Sequence, residues 1–436
     1  MKITPEWRVY TLGAILCVAL TICSRYFGDR GGPRFMASLT VAGIAYLLAI
    51  REFFRGRGDT PNFSRRVVII GLVLAAVWHV EFFRLSPGAD DDIHRYVWDG
   101  RLQRLGYNPY LVIPSDPAVE AFHTPETRTL NNPDLASPYP PGAQLFFRAV
   151  TAIQESVFAF KAAFLLCDLA IVLALLHGLR IARQREHLVL VYAWNPLLGI
   201  EVAGSGHIDI VGALLLVISV VALARRWRAV AALTFGLAVA MKFLPIVLLP
   251  LYWKRVRIRD AALAAAVVGF LYMPFLNHGR IPIGSLGTYV HSFRFNGPVF
   301  AALDNMAPPD FLTGLAVLVG LATATWLKRE AADLRPNAFA WPMAASLLCA
   351  PVVFPWYLLG LLPFLTSSST LLISIWTVSI IPVYVQWHLR TLGHPWGALP
   401  GWVMVLEYGC VGTAAAILVL RRITRPAAQC PSSEVV

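Results

Sequence analysis

Apolar runs long enough to cross a bilayer recur along the whole chain, and no other feature constrains its fold so strongly. VYTLGAILCVALTIC (9–23), VVIIGLVLAAVWHV (67–80), IVGALLLVISVVALA (210–224) and AALAAAVVGFLYMPF (261–275) are four of them. Roughly 20 apolar residues cover the ~30 Å of hydrocarbon, so the pattern implies about eleven to thirteen helical spans. Of the 436 residues, 57% are hydrophobic and 14% charged, more apolar surface than a soluble domain can bury. The expectation is an all-α polytopic membrane protein, one domain over 1–436. The first run lacks a small-residue cleavage site and further spans follow it, so it reads as an anchor and not a removed signal peptide.

A net charge of +12 raises the question of nucleic acid, and the placement of the charge answers it. Short breaks at 51–66, 180–187, 225–228, 254–260, 328–335 and 421–425 hold 21 of the 37 Lys and Arg, the bias that keeps such loops on the cytoplasmic side. The other breaks then face outward from the plasma or inner membrane: 84–142, GSGHID (204–209), 277–300, VFPWY (353–357) and 386–401. The longest of these, 84–142, carries eight acids against five Arg, which reverses the sign of the cytoplasmic loops. The six cysteines lie mostly inside apolar runs, without CxxC spacing, and read as packing residues.

The outward segment 84–142 holds an unusual stretch, DDDIHRYVWDGRLQRLGYNPY (90–110). Its many prolines exclude one long helix, but DIHRYVWDGRLQRLG fits a short amphipathic helix ending at Gly106. That helix is expected along the interface, with Tyr96, Trp98, Leu102 and Leu105 toward lipid or protein. A second segment, 229–253, has basic loops at both ends and reads as a re-entrant hairpin of two short helices with MKFLP at its tip.

Four places could carry chemistry. Three consecutive carboxylates (Asp90, Asp91, Asp92), with Arg95, Tyr96 and Asp99 following at near-helical spacing, repel one another or need a cation nearby, and sit close to the end of a span where charge is costly. A plain acidic turn is the competing reading. SPYPPGAQLFF (137–147) places Tyr139 in a stiff segment that suits a cavity rim or a simple helix start. In GSGHID, His207 and Asp209 could bind a phosphate or hydroxyl, or cap a helix. Lys242 lies among apolar residues and requires an anionic partner, either a lipid phosphate or a structural carboxylate.

DDDIHRYVWDGRLQRLGYNPY, YPPGAQLFF, GHIDIVGALLL and MKFLPIVLLPLYW, in this order, resemble the GT-C superfamily of integral-membrane glycosyltransferases, and within it the bacterial mannosyltransferase-like branch that uses polyprenyl-phosphate sugars. The resemblance spans about residues 67–366. It implies a GT-C-like helical bundle, inverting transfer on the extracytoplasmic face, and an acidic residue in the first large outer loop as general base. Asp92 and Asp91 match that position, Asp92 being favoured; Asp99, Arg95 and Tyr96 would shape the site. No cofactor is implied, a divalent cation being left open.

The chemistry is consistent with that resemblance. A sugar on a polyprenyl phosphate carries its own leaving group, so the site needs a carboxylate to take the hydroxyl proton, cations for the departing phosphate and an apolar groove for the lipid. Asp91 or Asp92 supplies the first; Lys242 and His207, with Arg95 or Arg294, supply the second. The expected partners are a polyprenyl-phosphate hexose, mannose above others, and a glycan, lipid or protein acceptor. A lipid-linked sugar flippase would want charged residues in mid-span and two related halves, whereas only Lys242 qualifies and no repeat is visible. An O-antigen-ligase-like enzyme would carry its long outer loop late in the chain.

Overall fold

The structure of the protein, a computed structural model, describes residues 5–55, 63–88, 91–330, 335–397 and 399–423. Asp90 lies outside the described residues. The first half contains α1 (Pro5–Arg25), α2 (Pro33–Phe53), α3 (Arg65–Phe83), α4 (Asp92–Arg104), α5 (Pro141–Ile153), α6 (Val157–Ile181), α7 (Val189–Ala193), α8 (Asp209–Ala224) and α9 (Arg228–Met241). The second half contains α10 (Leu249–Tyr252), α11 (Ile258–Leu271), α12 (Leu286–Ser292), α13 (Pro298–Leu303), α14 (Pro309–Glu330), α15 (Pro336–Leu348), α16 (Leu371–Ser379), α17 (Val385–Thr391) and α18 (Gly401–Ile423). Among the described residues there are isolated β-bridges but no strand. The protein is an all-α multi-pass membrane protein, as its apolar runs require.

Eight described helices are long and apolar enough to cross a membrane, or nine if Leu198–Gly204 and α8, bent by 111° at the residues between them, form one broken span. The larger number expected from sequence counts apolar stretches that fold as broken helices. Residues 228–252 form α9, a break at Lys242, a 3-10 turn (Leu244–Leu248) and α10. After α15 the chain runs through 3-10 turns at Pro355–Gly360 and Leu362–Phe364. Pro245, Pro250, Pro355 and Pro363 sit at the starts of these short pieces, where a missing N–H costs nothing and the fixed φ helps. Irregular backbone at membrane depth survives only where it lines a cavity or is buried in protein.

α4 does form, over Asp92–Arg104, and Leu105 and Gly106 close it. Ten of its residues are buried, Tyr96, Trp98 and Leu102 completely, and only Leu105 of the four anchors expected at an interface is exposed, at 46%. α4 packs on α5, and Tyr96 stacks on Phe147 with ring centroids 4.5 Å apart. Trp98 stacks on His123 at 4.0 Å, so the loop after α4 folds back over the helix.

Two contacts place the segments around this helix. Lys161 of α6 donates to the carbonyls of Leu85 at 2.6 Å and Phe82 at 3.2 Å, a cation at the C-terminal end of α3, where the helix dipole is negative. At Gly142 the start of α5 comes so close to α9 that a Cβ would lie 2.7 Å from the Ala240 carbonyl oxygen. This contact draws the Tyr139–Pro140–Pro141 segment toward Lys242.

Candidate active site

Every outward break inferred from the charge pattern contributes to one cavity of about 440 Å³. Asp91 and Asp92 come from the start of α4, Tyr139 from the long loop, His207 and Asp209 from the broken span, Lys242 from the end of α9, and Tyr289, Trp356, Tyr357 and Trp396 from the later breaks. Basic segments gather elsewhere: Arg65, Arg180 and Arg185 share a separate cavity of about 630 Å³. The charged wall of the first cavity continues into an apolar one formed by Gly212, Ala213 and Leu216 of α8, with Leu244, Met343 and Leu347.

The two candidate bases differ in their surroundings. Asp91 is 4% exposed, with Oδ1 2.9 Å from Arg30 Nη1, and Oδ2 accepts the Gly88 N–H at 2.6 Å. Although burial acts against it, the Asp91 charge, helped by Glu201 and Tyr384, holds the Arg30 guanidinium above its ordinary pKa. Asp92 is half-buried and accepts a hydrogen bond from Asn131 Nδ2 at 2.6 Å. No Lys or Arg among the described residues pairs with Asp92. Asp91 is thus the ion-paired aspartate at the start of α4, and Asp92 is a cavity carboxylate without a Lys or Arg partner among the described residues.

Asp209 and Lys242 meet across the cavity wall, Nζ to Oδ2 at 3.2 Å. The ammonium also lies over the Tyr357 ring at 5.1 Å and the Tyr139 ring at 5.8 Å, an aromatic setting that favours a cation. The Lys242 side chain is 23% exposed, so it is both paired and open to the cavity. The structural and the ligand-binding readings of this lysine are therefore both served by one geometry.

His207 follows Gly206, whose φ of +77° belongs to glycine and where a Cβ would lie 2.5 Å from Ile93 Cδ1. Its ring stacks on Trp356 at 4.1 Å, and Nδ1 faces Glu201 Oε2 at 3.0 Å. Trp356 stacks in turn on Phe354, Phe354 on Phe295, and Phe295 on Trp396, the first two at 4.3 and 4.4 Å and the last at 6.0 Å. This column of stacked rings ties the three later breaks, through Phe295, Phe354 and Trp396, to His207.

Arg95, Tyr96 and Asp99 do not line the cavity; they brace its wall from behind. Arg95 pairs with Asp99 at 3.0 Å and donates to the Leu135 carbonyl at 2.6 Å. Asp99 is fully buried and accepts from Ser137 and Gln144. Burial pushes its carboxyl above the ordinary value, against Arg95 and these donors. The Tyr96 phenol, buried and near Asp92 and Asp209, is held well above its ordinary pKa and accepts the Ile208 N–H at 3.4 Å. Arg294, a further candidate cation, pairs with Asp304 at 3.3 Å outside the cavity wall.

A family model described as "Alpha-(1->6)-mannopyranosyltransferase, N-terminal domain" matches residues 21–256, more than half of the chain. The chain belongs to this family. It is a glycosyltransferase, and the mannosyltransferase-like resemblance is borne out. Among solved structures, ArnT from Cupriavidus metallidurans bound to undecaprenyl phosphate is similar at 15% identity, with 83% of this chain and 73% of that chain covered and a TM-score of 0.46. Comparison with curated proteins finds no match.

Asp92, His207, Asp209 and Lys242 of the glycosyltransferase all fall within the matched stretch, as do Arg30 and Glu201. The aromatic wall from Tyr289 to Trp396 falls outside it. Arg30, Glu201 and that wall are the site residues that sequence reasoning missed. Arg30 sits in a short turn between two spans, and Glu201 inside an apolar run. A lone carboxylate in such a run is itself a signal, because intramembrane charge is costly.

Proposed function

We propose that the enzyme transfers a hexose, mannose, from a polyprenyl-phosphate donor to a hydroxyl of a cell-envelope glycan, lipid or protein acceptor, with inversion and with Asp92 as general base. One observation carries the reading: Asp92, without a Lys or Arg partner among the described residues, and the Lys242 ammonium share a cavity with an apolar wall. Asp92 takes the acceptor O–H proton as the oxygen attacks C1. The C1–O bond to phosphate breaks on the opposite face, its electron pair staying on the phosphate oxygen. Polyprenyl phosphate leaves with one more negative charge than the diester carried, and Lys242 offsets that charge. The lipid chain follows Gly212, Ala213 and Leu216. The transfer takes place on the extracytoplasmic face of the plasma or inner membrane and, on this scheme, needs no cofactor.

The test is turnover by the purified protein in lipid nanodiscs with mannosyl polyprenyl phosphate and an acceptor extract. Release of polyprenyl phosphate together with acceptor mannosylation of inverted configuration is expected. Movement of intact donor between leaflets without cleavage would instead assign the cavity to lipid transport.

A further inference from the structure

Glu201 is buried to 1% exposure inside the membrane-embedded part of the chain, where an unpaired carboxylate is costly. It lies on a π-helical turn, Leu198–Gly204, a distortion that re-aims side chains and is frequent at functional sites. Two groups meet it. Tyr384 donates its hydroxyl to Oε1, and Oε2 stands 3.0 Å from His207 Nδ1, whose hydrogen bond runs to the Glu201 main-chain carbonyl at 3.1 Å. The His207 main-chain N–H also donates to the Glu201 carbonyl at 2.9 Å. Because Nδ1 is turned to Glu201 and the imidazole lines the cavity, Nε2 is the nitrogen presented to a ligand. The Trp356 ring, 4.1 Å away and within 9° of parallel, fixes the plane of the imidazole.

We infer that Glu201 is a positioning residue that keeps His207 as an imidazolium, whose Nε2–H donates to the leaving phosphate oxygen during glycosyl transfer. The inference rests on the reading of the cavity as a glycosyl-phosphate site. As the C1–O bond breaks, the phosphate gains one negative charge, and the imidazolium proton moves toward or onto the oxygen that takes the electron pair. A carboxylate at Nδ1 stabilises the positive ring in the manner of carboxylate–histidine pairs elsewhere. Burial opposes the cation, and against it the Glu201 carboxylate acts first, with Asp92 from the start of α4 adding to it; Arg30 and Asp91 offset each other, as do Asp209 and Lys242.

The experiment is the pH dependence of kcat/KM for release of polyprenyl phosphate from mannosyl polyprenyl phosphate, comparing wild type with Glu201→Gln and Tyr384→Phe. Glu201→Gln keeps the shape of the pair and its hydrogen bond to Tyr384 but removes the charge. Its alkaline limb should fall about 1–3 pH units lower, the usual influence of one neighbouring charge, with KM changing less than kcat. Tyr384→Phe leaves the Glu201 carboxylate less dispersed and should move the limb slightly the other way, a pair of opposite shifts that loss of fold cannot produce. Coincident limbs in all three proteins, or an unaltered limb in His207→Gln, would overturn the inference while leaving the glycosyl-phosphate reading intact. No release by wild type would overturn both.

Discussion

Arg30 Nη1 lies 2.9 Å from Asp91 Oδ1, with the two side chains 6% and 4% exposed. Arg30 also donates to Ser205 Oγ at 2.7 Å and covers the Phe27 ring at 4.9 Å. One guanidinium thus joins the α1–α2 turn, the start of α4 and the break before His207. It pairs with Asp91, whereas Asp92 accepts from Asn131.

Asp92→Asn is expected to lower turnover by ~100-fold or more, the usual size of a general-base contribution, with donor binding retained because the amide no longer repels phosphate. Asp91→Asn should act on stability first: removing one partner of a buried pair costs about 3–5 kcal/mol and should appear as a lower melting temperature in detergent. Turnover and melting measured on both variants separate the roles. Equal, near-normal turnover in both would reduce the cluster to an acidic turn.

Lys242→Met should raise the donor KM roughly tenfold to a hundredfold, the size of a lost hydrogen bond to a charged group of about 1.5–3 kcal/mol. The single variant leaves Asp209 unpaired in the wall and should melt lower. Lys242→Met combined with Asp209→Asn should recover the melting temperature but not the donor KM, and Lys242→Arg should keep part of the function. A normal donor KM in the double variant would leave this pair purely structural.

Asp99 gives a pH signature. Its carboxyl is raised by burial, so the folded state holds that proton more tightly than the unfolded one, and the stability it contributes falls as pH rises from the ordinary carboxylate range toward the folded value. The melting-temperature difference between wild type and Asp99→Asn should therefore shrink with increasing pH across that interval. A constant difference would mean that Asp99 stays ionised throughout.

Single cysteines at Ser115 and Arg257, both exposed, in a cysteine-free background should react with an impermeant thiol reagent from opposite sides of the membrane. Labelling of both from one side would reverse the orientation drawn from the arginine bias.

Much of the candidate site is legible in the sequence. Each of Asp92, Tyr139, His207, Asp209 and Lys242 is conspicuous locally, as a charge or a stiff break beside an apolar run, and all five line one cavity. What escaped depends on pairing across the fold. Tyr384 and Glu201 are 183 residues apart and Arg30 and Ser205 are 175 apart, and no local pattern joins them. The aromatic column escaped for another reason: Phe295, Phe354, Trp356 and Trp396 look like ordinary apolar residues until backbone breaks align their rings. The burial of α4 escaped because its polar residues suggested an interface, whereas Arg95 pairs with Asp99 and reaches the loop carbonyl of Leu135, and Gln103 donates to Gln144 of α5.

The apolar wall of the cavity also acts as a ruler. Asp209, Gly212, Ala213 and Leu216 fall on one face of α8 and span eight residues, about 10 Å of helix. On the proposed donor, only the first isoprene units beyond the phosphate would touch protein, and the rest of the tail would remain in the bilayer. Tail length beyond those units should then change how the donor partitions into the membrane without altering turnover once bound, so short-chain analogues long enough to fill the groove should match the full-length lipid in kcat.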